Sequence, residues 1–301
     1  MKIGRIVSAE KDLYFIAEMG EDGRASLHRL IPAKGRGALR NNKHIAPMVG
    51  DVVSFEYGPA RSEARILSVH PRKNVLLRPP VSNVDQALVV QTIVEPMISS
   101  VSFDRSLAVL ERRGLPILLC FNKQDLVDSS LSEKWVKRYA DAGYPVYAVS
   151  AHTGENLEQL RRALQDKVTA ISGPSGAGKS SLIRKMTGKS SIEIGNLSRR
   201  DLRGKQTTRR IQLFELDAST FLFDTPGFST IDLRDFSDPI ELMQCFPEIR
   251  SLSRDCRFRN CTHRHEPGCA VRKALAQETL DPVRYQSYCV LFEEIEKQKR
   301  F

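Results

Sequence analysis

Short segments in which hydrophobic and polar residues alternate begin the chain, at 3–7, 13–17, 25–30, 51–57 and 64–69. Glycines such as Gly20, Gly35, Gly50 and Gly58 stand between them. Five short strands joined by glycine-containing turns are typical of a small closed β-barrel of the OB type. An SH3-like barrel with one long solvated loop is the alternative that the same pattern allows.

Beyond residue 73 the pattern changes to longer apolar runs that alternate with segments of helical spacing. Strands are predicted at 84–90, 115–121, 144–149, 168–171, 211–216 and 220–223. Helices are predicted at 103–113, 131–141, 156–167, 270–277 and 285–299. Such alternation predicts an α/β core with a doubly wound, mostly parallel sheet.

One stretch has the pattern of a phosphate-binding loop at every fixed position. It reads Gly173-Pro174-Ser175-Gly176-Ala177-Gly178-Lys179-Ser180. A predicted strand at 168–171 precedes it and a helix is expected to start near Ser181, which is the context that the pattern needs. The glycines would let backbone N–H groups turn towards phosphates, while Lys179 reaches the β- and γ-phosphates and the Ser180 hydroxyl binds Mg²⁺. A glycine-rich turn that matches by chance is the alternative.

The residues Asn122-Lys123-Gln124-Asp125 follow the predicted strand at 115–121 and have the N-K-x-D pattern of guanine recognition. A carboxylate at Asp125 can accept hydrogen bonds from N1–H and the 2-amino group of guanine. Adenine lacks these donors in that geometry, so it would leave the carboxylate unpaired. We expect Asn122 to reach the other edge of the base and to tie loops together, and the stem of Lys123 to cover the face of the base.

Ser150 and Ala151 follow the predicted strand at 144–149 and fit a second loop that contacts the base. The backbone N–H of Ala151 is expected to point at the guanine oxygen. All these stretches stand at the carboxyl ends of predicted strands, where open α/β sheets bind ligands.

The segment 189–210 is basic and poor in apolar residues, and we expect a loop that a nucleotide or polyanion orders. Thr207 and Thr208 lie near its end, and one of the two would bind Mg²⁺ and sense the γ-phosphate. The motif Asp224-Thr225-Pro226-Gly227 is D-x-x-G, in which Asp224 holds the Mg²⁺ shell through water and the Gly227 N–H meets the γ-phosphate.

Phe228 follows this motif, and a phenyl ring cannot orient a water molecule by hydrogen bonding. Either another group orients the hydrolytic water or hydrolysis is slow until a partner helps. Gln206 is the nearest candidate in the sequence.

The base-recognition motifs precede the phosphate-binding loop instead of following it. A chain can be cut and rejoined without a change of fold when the original termini lie close together. The motif order therefore predicts a circularly permuted GTPase in which D-x-x-G leads directly into the C-terminal region.

The C-terminal region has a set of residues with the spacing of a metal site. Its members are Cys256, Cys261, His263 and Cys269. Three thiolates and one imidazole are typical of a closed, tetrahedral structural zinc site, with His265 as a rival fourth ligand. Several basic residues surround the set and are expected to face phosphate, namely Arg254, Arg257, Arg259 and Arg264. We interpret Cys120, Cys245 and Cys289 as ordinary free cysteines.

The formal net charge of +10 and the isoelectric point of about 9.4 favour a polyanionic partner. The stretch 32–47 carries four basic residues and no acidic one. On an OB barrel such a loop favours the binding of RNA or single-stranded nucleic acid.

No apolar run approaches the length of a membrane span and the N-terminus lacks the apolar core of a signal peptide, so we expect a cytoplasmic protein, monomeric by default.

Taken together, these motifs resemble the RsgA (YjeQ) family of circularly permuted GTPases of small ribosomal subunit biogenesis. The resemblance covers the whole chain. It rests on the permuted motif order, on the Cys/His set and on the stretch Glu266-Pro267-Gly268-Cys269 that ends this set. It implies an OB-fold RNA-binding domain at 1–72, a GTPase domain at 73–235 and a zinc-binding helical domain at 236–301.

The resemblance also implies a function. The ligands would be GTP or GDP, Mg²⁺ and one structural Zn²⁺. The protein would act late in the maturation of the small ribosomal subunit, contact its rRNA and hydrolyse GTP when the subunit stimulates it. Members of the family commonly carry a histidine before the paired threonines, where this chain has Gln206.

The site residues predicted on these grounds form three groups. Nucleotide binding is assigned to Asn122, Lys123, Gln124, Asp125, Ser150, Ala151, Gly173, Pro174, Ser175, Gly176, Ala177, Gly178, Lys179, Ser180, Ser181, Asp224 and Gly227. Hydrolysis is assigned to Lys179, Gln206, Thr207 and Thr208, and metal binding to Cys256, Cys261, His263 and Cys269.

Two other functions fit parts of the pattern: an RNA-binding assembly protein with negligible turnover, and a P-loop kinase. Asp125 and the lack of an evident base for an acceptor argue against the kinase.

Overall fold

A computed structural model describes most of the chain. It covers residues 1–10, 12–20, 23, 25–35, 46–58, 63–77, 80–94, 99–188, 212–217, 219–224, 233 and 236–298. The internal contacts divide the chain into two compact units. The first comprises Met1–Gln86, Glu158–Ser172 and Lys179–Phe228, and the second Ala87–Leu157, Gly173–Gly178 and Ser229–Phe301.

The first unit begins with a closed barrel. Its strands are β1 (Lys2–Glu10), β2 (Leu13–Met19), β3 (Ala25–Gly35), β4 (Val52–Tyr57) and β5 (Ala64–Val69). They are hydrogen-bonded in the order β1-β2-β3-β5-β4, and β1 pairs with β4 to close the barrel. Alternate residues point inwards and form a core that includes Ile6, Ile16, Val53, Phe55 and Ile66. The predicted OB-type barrel and its five strands are confirmed.

A buried carboxylate fastens the segment that leaves the barrel. Asp51 is fully buried, and Arg72 donates to both of its carboxylate oxygens at 2.8 Å. The Ser82 hydroxyl and the Met48 backbone N–H also donate to it, at 2.5 and 2.8 Å. Since a buried charge is tolerated when it is paired and hydrogen-bonded, these four bonds stabilise the link between the barrel and the hairpin that follows.

The remaining elements follow in chain order. The strands are β6 (Val75–Leu77), β7 (Pro80–Ser82), β8 (Gln86–Thr92), β9 (Ile117–Asn122), β10 (Val146–Ala148), β11 (Val168–Ser172), β12 (Gln212–Asp217) and β13 (Thr220–Asp224). The helices are α1 (Ser100–Arg112), α2 (Ser129–Asp141), α3 (Leu157–Leu164), α4 (Lys179–Thr187), α5 (Pro239–Gln244), α6 (Pro247–Leu252), α7 (Ala270–Ala276) and α8 (Pro282–Gln298). No described helix has the length and apolarity that crossing a bilayer requires.

Strand pairing is mostly parallel, as the α/β pattern predicts. In the second unit β8 pairs with β9 and β9 with β10, both in parallel. In the first unit β11 and β13 are parallel, while β12 and β13 form an antiparallel pair. Every residue of β8 and β9 is buried, which explains why these strands read as continuous apolar runs rather than alternating ones.

Three elements were not predicted from the sequence. The hairpin of β6 and β7 has strands of three residues each, too short to show a period. Helices α5 and α6 have six residues each and begin with Pro239 and Pro247. Proline is well accommodated in the first helical turn, because the N–H that it lacks would have no partner there. Tertiary packing rather than local propensity stabilises helices this short.

Arg284 lies at the centre of the second unit and is 1% exposed. It donates to Asp104 of α1 at 2.6 Å and to both carboxylate oxygens of Glu248 in α6, at 2.8 and 3.1 Å. Burial alone would lower the pKa of the guanidinium, but these two carboxylates outweigh it and hold the pKa well above the ordinary value. One α8 side chain therefore joins three helices through charges that are almost entirely shielded from water.

We predict that Arg284→Met lowers the free energy of unfolding of the second unit by about 3–5 kcal/mol, because the fully buried Asp104 loses its charged partner. Urea unfolding followed by the fluorescence of Trp135 measures the change. The double variant Arg284→Met/Asp104→Asn should regain part of the loss. A loss below about 1 kcal/mol in the single variant would contradict the assigned role.

Candidate nucleotide and metal sites

The side chain of Asn122 joins three loops. Asn122 ends β9 and is 1% exposed. Its Nδ2 donates to the carbonyl of Ala177 in the glycine-rich loop at 3.0 Å, and its Oδ1 accepts from the backbone N–H of Ala151 at 3.0 Å. A single carboxamide thus fixes the spacing of the N-K-x-D, phosphate-binding and Ser150-Ala151 stretches, which lie far apart in the sequence.

Asp125, like Asn122, is hydrogen-bonded to the Ser150-Ala151 loop. Its Oδ1 accepts a hydrogen bond from the Ser150 hydroxyl at 2.5 Å, and Ser150 Oγ in turn accepts from the N–H of Thr153 at 3.1 Å. Ser150 is fully buried whereas Asp125 is exposed. Its other carboxylate oxygen has no hydrogen-bond partner in the described part of the chain, so it is free to accept from a ligand.

The turn after Asn122 gives Asp125 its position. Lys123 adopts a left-handed conformation with φ of 65°, and a 3₁₀ turn follows over Gln124–Leu126. The backbone N–H of Gln124 donates to the carbonyl of Val149 at 3.2 Å. The end of β9 is therefore bonded to the loop that carries Ser150.

The backbone N–H of Ala151 is already engaged. It was expected to meet a guanine oxygen, but in this structure it donates to Asn122 Oδ1. A base oxygen at this place would share that donor with Asn122 or take the bond over from it.

Two glycines allow the close approach of neighbouring groups. Gly173 has φ of +144°, and a Cβ there would lie 2.0 Å from the carbonyl oxygen of Val90 in β8. Gly178 has φ of +86°, and its Cβ would lie 2.3 Å from Asn122 Nδ2. A side chain at Gly178 would therefore displace the amide that joins the three loops.

The phosphate-binding stretch has the predicted local context. It leaves β11 after Ser172 and passes into α4, whose first residues are Lys179, Ser180 and Ser181. The helix begins two residues before the predicted start near Ser181. Its first N–H groups follow directly on the glycine-rich turn, which is how helix N-termini bind anions.

Several predicted residues cannot be placed. Gln206, Thr207, Thr208, Gly227 and Phe228 lie outside the described residues. Asp224 is described through its backbone, as the last residue of β13, paired in register with Ile171 of β11. The carboxyl ends of these two strands therefore lie side by side.

The four predicted metal ligands come together. One ligand atom from each of Cys256, Cys261, His263 and Cys269 lies within 4.8 Å of the others. His263 Nδ1 is 3.5 Å from the sulfurs of Cys256 and Cys269, which are 4.0 Å apart. Tetrahedral zinc with Zn–S of about 2.3 Å and Zn–N of about 2.0–2.1 Å requires separations of about 3.5–3.8 Å. The set fits zinc, and exposed His265 is not part of it.

Backbone donors already point at the sulfurs. The N–H of Ala270 donates to Cys256 Sγ at 3.3 Å and the N–H of Arg272 to Cys269 Sγ at 3.5 Å. Burial raises the pKa of Cys261 to about 12, so in the absence of a cation this thiol stays protonated at neutral pH. A divalent ion would bind the thiolates, which the N–H groups at the start of α7 stabilise further.

Some residues that hold the loop 256–269, called here the metal loop because it carries the four predicted ligands, were not assigned a role from the sequence. Glu266 accepts from the backbone N–H and hydroxyl of Thr262, at 2.7 and 2.6 Å. Burial opposes the ionised form of Glu266, but these bonds prevail and its pKa falls to about 2. Tyr285 and Tyr288 of α8 donate to the carbonyls of His263 and Thr262, at 2.8 and 3.0 Å. Only the packing of α8 beside the loop reveals their role.

The expectation that Arg264 faces phosphate is wrong. Its guanidinium donates to Glu296 at 2.9 Å and to Glu293 at 3.2 Å, and lies 5.2 Å from the ring centroid of Phe292. Both acids belong to α8, so Arg264 fastens the metal loop to that helix. Arg254, Arg257 and Arg259 remain exposed.

Comparison with known proteins gives consistent results. The sequence profile described as RsgA GTPase matches residues 69–234, more than half of the chain. A protein of Halalkalibacterium halodurans named small ribosomal subunit biogenesis GTPase RsgA is 38% identical over 303 residues, covering 100% of this chain and 99% of its own. A protein of the same name from Bacillus cereus is 37% identical over 302 residues, covering 99% of both chains.

Solved structures agree along the whole chain. The crystal structure of YloQ, described as a circularly permuted GTPase, has a TM-score of 0.78 at 31% identity and covers 99% of this chain and 96% of that one. YjeQ from Thermotoga maritima has a TM-score of 0.78 at 30% identity, with 98% of each chain covered. The predicted resemblance and permuted order are confirmed, and this chain belongs to the RsgA GTPase family of GTP-hydrolysing enzymes.

Proposed function

We propose that this protein is a guanine-specific GTPase that acts in small ribosomal subunit biogenesis. The observation that carries the proposal is the Asn122 side chain, which holds the base-recognition turn, the Ser150-Ala151 loop and the glycine-rich loop together. Membership of the RsgA GTPase family and the names of the relatives support the ribosomal role. The cytoplasm, where ribosomal subunits mature in bacteria, would be its location.

Guanine recognition would depend on Asp125. The Ser150 hydroxyl holds one of its oxygens, so the carboxylate keeps a fixed orientation while the other oxygen stays open to the base. N1–H and the 2-amino group of guanine would donate to this carboxylate, while Lys123 covers the base face and Gln124 braces the turn through its bond to the carbonyl of Phe121.

Phosphate binding would fall to the stretch from Gly173 to Ser181. Backbone N–H groups between Gly173 and Gly178 would surround the β-phosphate, and Lys179 would neutralise the β- and γ-phosphates. Bound Mg²⁺ supplies further neutralisation of the phosphate charge. Ser180, Thr207 or Thr208, and Asp224 through water, are the residues that we assign to its shell.

We assign the γ-phosphate contact to the Gly227 N–H and the orientation of the attacking water to Gln206. Phe228 cannot perform the second task by hydrogen bonding. Catalysis would then come mainly from positioning and electrostatics. A bound partner would complete the arrangement of groups that hydrolysis needs.

The Cys256, Cys261, His263 and Cys269 set would hold one structural Zn²⁺. Its four ligands leave no position open, so the ion would stabilise the C-terminal fold rather than take part in the reaction. In this interpretation 1–72 form an RNA-binding barrel domain, 73–235 the GTPase domain and 236–301 the zinc domain. The small ribosomal subunit and its rRNA would be the partners of a monomeric protein.

We predict that purified protein hydrolyses GTP slowly and that small ribosomal subunits accelerate it strongly, since partner stimulation in this reaction class reaches about 10³–10⁵-fold. Phosphate release is measured with and without subunits, with ATP as the control nucleotide and Lys179→Ala as the inactive variant. Stimulation confined to GTP supports the proposal. Equal rates with and without subunits would contradict the ribosomal role.

We predict about one equivalent of zinc in the purified protein by metal analysis. Cys269→Ser should lose the metal and melt at least about 5 °C lower, because coordination contributes to the free energy of folding. Cys289→Ser is the matched control, since Cys289 packs against the same core but lies outside the metal set. Zinc retained by Cys269→Ser, or lost by Cys289→Ser, would refute the assignment.

A further inference from the structure

Phe258 is an aromatic side chain that the fold leaves in solvent. It lies between Cys256 and Cys261, and 45% of it is exposed. It is absent from the hydrophobic core cluster of the second unit. Within the described residues 236–298, the other large hydrophobic side chain exposed to this degree is Ile240, at 39%. Two isolated side chains do not make the contiguous apolar patch that a stable protein interface requires.

The turn that carries Phe258 is fixed on both sides. Its carbonyl accepts a hydrogen bond from the N–H of Cys261 at 3.3 Å, and the N–H of Arg257 donates to the carbonyl of Gly268 at 3.2 Å. Cys256 and Cys261 both belong to the metal-ligand set. The ring therefore stands on a turn whose two ends are anchored, so the turn itself loses little conformational entropy when a partner binds.

One basic side chain lies against the ring, and two more are close to it in the sequence. The guanidinium carbon of Arg257 lies 5.5 Å from the ring centroid. Arg259 directly follows Phe258, and Arg254 lies in the short 3₁₀ helix Ser253–Asp255 that precedes Cys256. Both are exposed and, like Arg257, have no ion pair among the described residues, while Asp255 is the one acidic residue of the segment 254–261. An exposed aromatic side chain in a segment with three exposed arginines and one acidic residue is complementary to a nucleobase with its neighbouring phosphates.

We propose that Phe258 is a stacking platform for an unpaired base of single-stranded RNA, with Arg257 and Arg259 paired to the flanking phosphates. Unpaired bases stack readily on aromatic side chains, whereas the bases of a duplex are not accessible in this way. The inference rests on the proposed ribosomal function and adds to it the strand state of the RNA and a contact residue in the C-terminal region.

The test compares two substitutions at Phe258. Phe258→Leu keeps the apolar character but removes the aromatic face, and Phe258→Trp keeps an aromatic face. Binding of a fluorescently labelled single-stranded RNA of about 12 nucleotides is measured by anisotropy, with zinc content as the check on folding. Ile240→Ala is the control for the loss of an exposed apolar side chain.

We expect Phe258→Leu to weaken binding about 5- to 160-fold, the range to which a base–aromatic stack of about 1–3 kcal/mol corresponds. Phe258→Trp should bind within about threefold of the wild type, and its fluorescence should be quenched by the RNA. The natural tryptophan, Trp135, is 7% exposed and gives a constant background. Ile240→Ala should bind like the wild type.

Salt dependence separates stacking from charge. Phe258→Leu should leave the slope of log K against log salt unchanged, whereas Arg259→Gln should reduce it by about 0.7.

Wild-type affinity of Phe258→Leu for the RNA, or equal losses in Phe258→Leu and Phe258→Trp, would overturn the platform. If Phe258→Leu bound RNA normally and lost only its affinity for whole subunits, the partner at this turn would be a protein and the inference would be wrong. Subunit-stimulated GTP hydrolysis by the wild type is measured separately, so the proposed function can stand when the platform fails.

Discussion

The carboxamide of Asn122 is the contact on which the proposed nucleotide site depends. It is buried, and both of its ends are used, one by the carbonyl of Ala177 and the other by the N–H of Ala151. If it were removed, two buried backbone groups would lose their partner, at a cost of about 1–3 kcal/mol each. Gly178 is constrained by the same contact, because any side chain there would meet the amide. The permuted chain order is tolerated because these bonds connect loops that are neighbours in the fold, whatever the order in which the chain reaches them.

A second set of polar contacts, buried at Arg284 and partly exposed at Arg264, gives the C-terminal region its place in the second unit. Arg284 connects α8 to α1 and α6, and Arg264 connects the metal loop to α8. The tyrosines of α8 bind the carbonyls of the loop. A metal-binding loop of this size has too little apolar surface to fold alone, so the ligand set and these ties share the task of ordering it. The exposed turn at Phe258 is rigid for the same reason.

The sequence predicted most of the elements because each carried a clear period or a long apolar run. The five barrel strands, the buried β8 and β9 and the long α8 are of this kind. The Cys/His set was predictable from spacing alone, since ligand spacing within one loop sets the geometry. The hairpin of β6 and β7 was missed because three residues are too few to show alternation, and the helices α5 and α6 because six residues make fewer than two helical turns.

What the sequence could not predict are contacts between distant residues. The bond from Ser150 to Asp125 and the engagement of the Ala151 N–H by Asn122 depend on how the loops fold against one another. Arg264 could not be distinguished from its exposed neighbours, because its partners Glu293 and Glu296 lie far from it in the sequence. Tertiary pairing of charges decided its role.

If the arrangement around Asn122 presents Asp125 to guanine, replacing the Asp125 carboxylate by an amide must change which nucleotide binds, so nucleotide binding by Asp125→Asn is the decisive measurement. We expect the substitution to weaken GDP binding by about 100-fold or more and to improve the binding of xanthosine diphosphate, whose 2-oxo group can accept from the new amide. Asp141→Asn, a surface carboxylate of α2, serves as the control and should bind GDP like the wild type. Unchanged GDP affinity in Asp125→Asn, with no gain for the xanthine nucleotide, would show that Asp125 does not recognise the base.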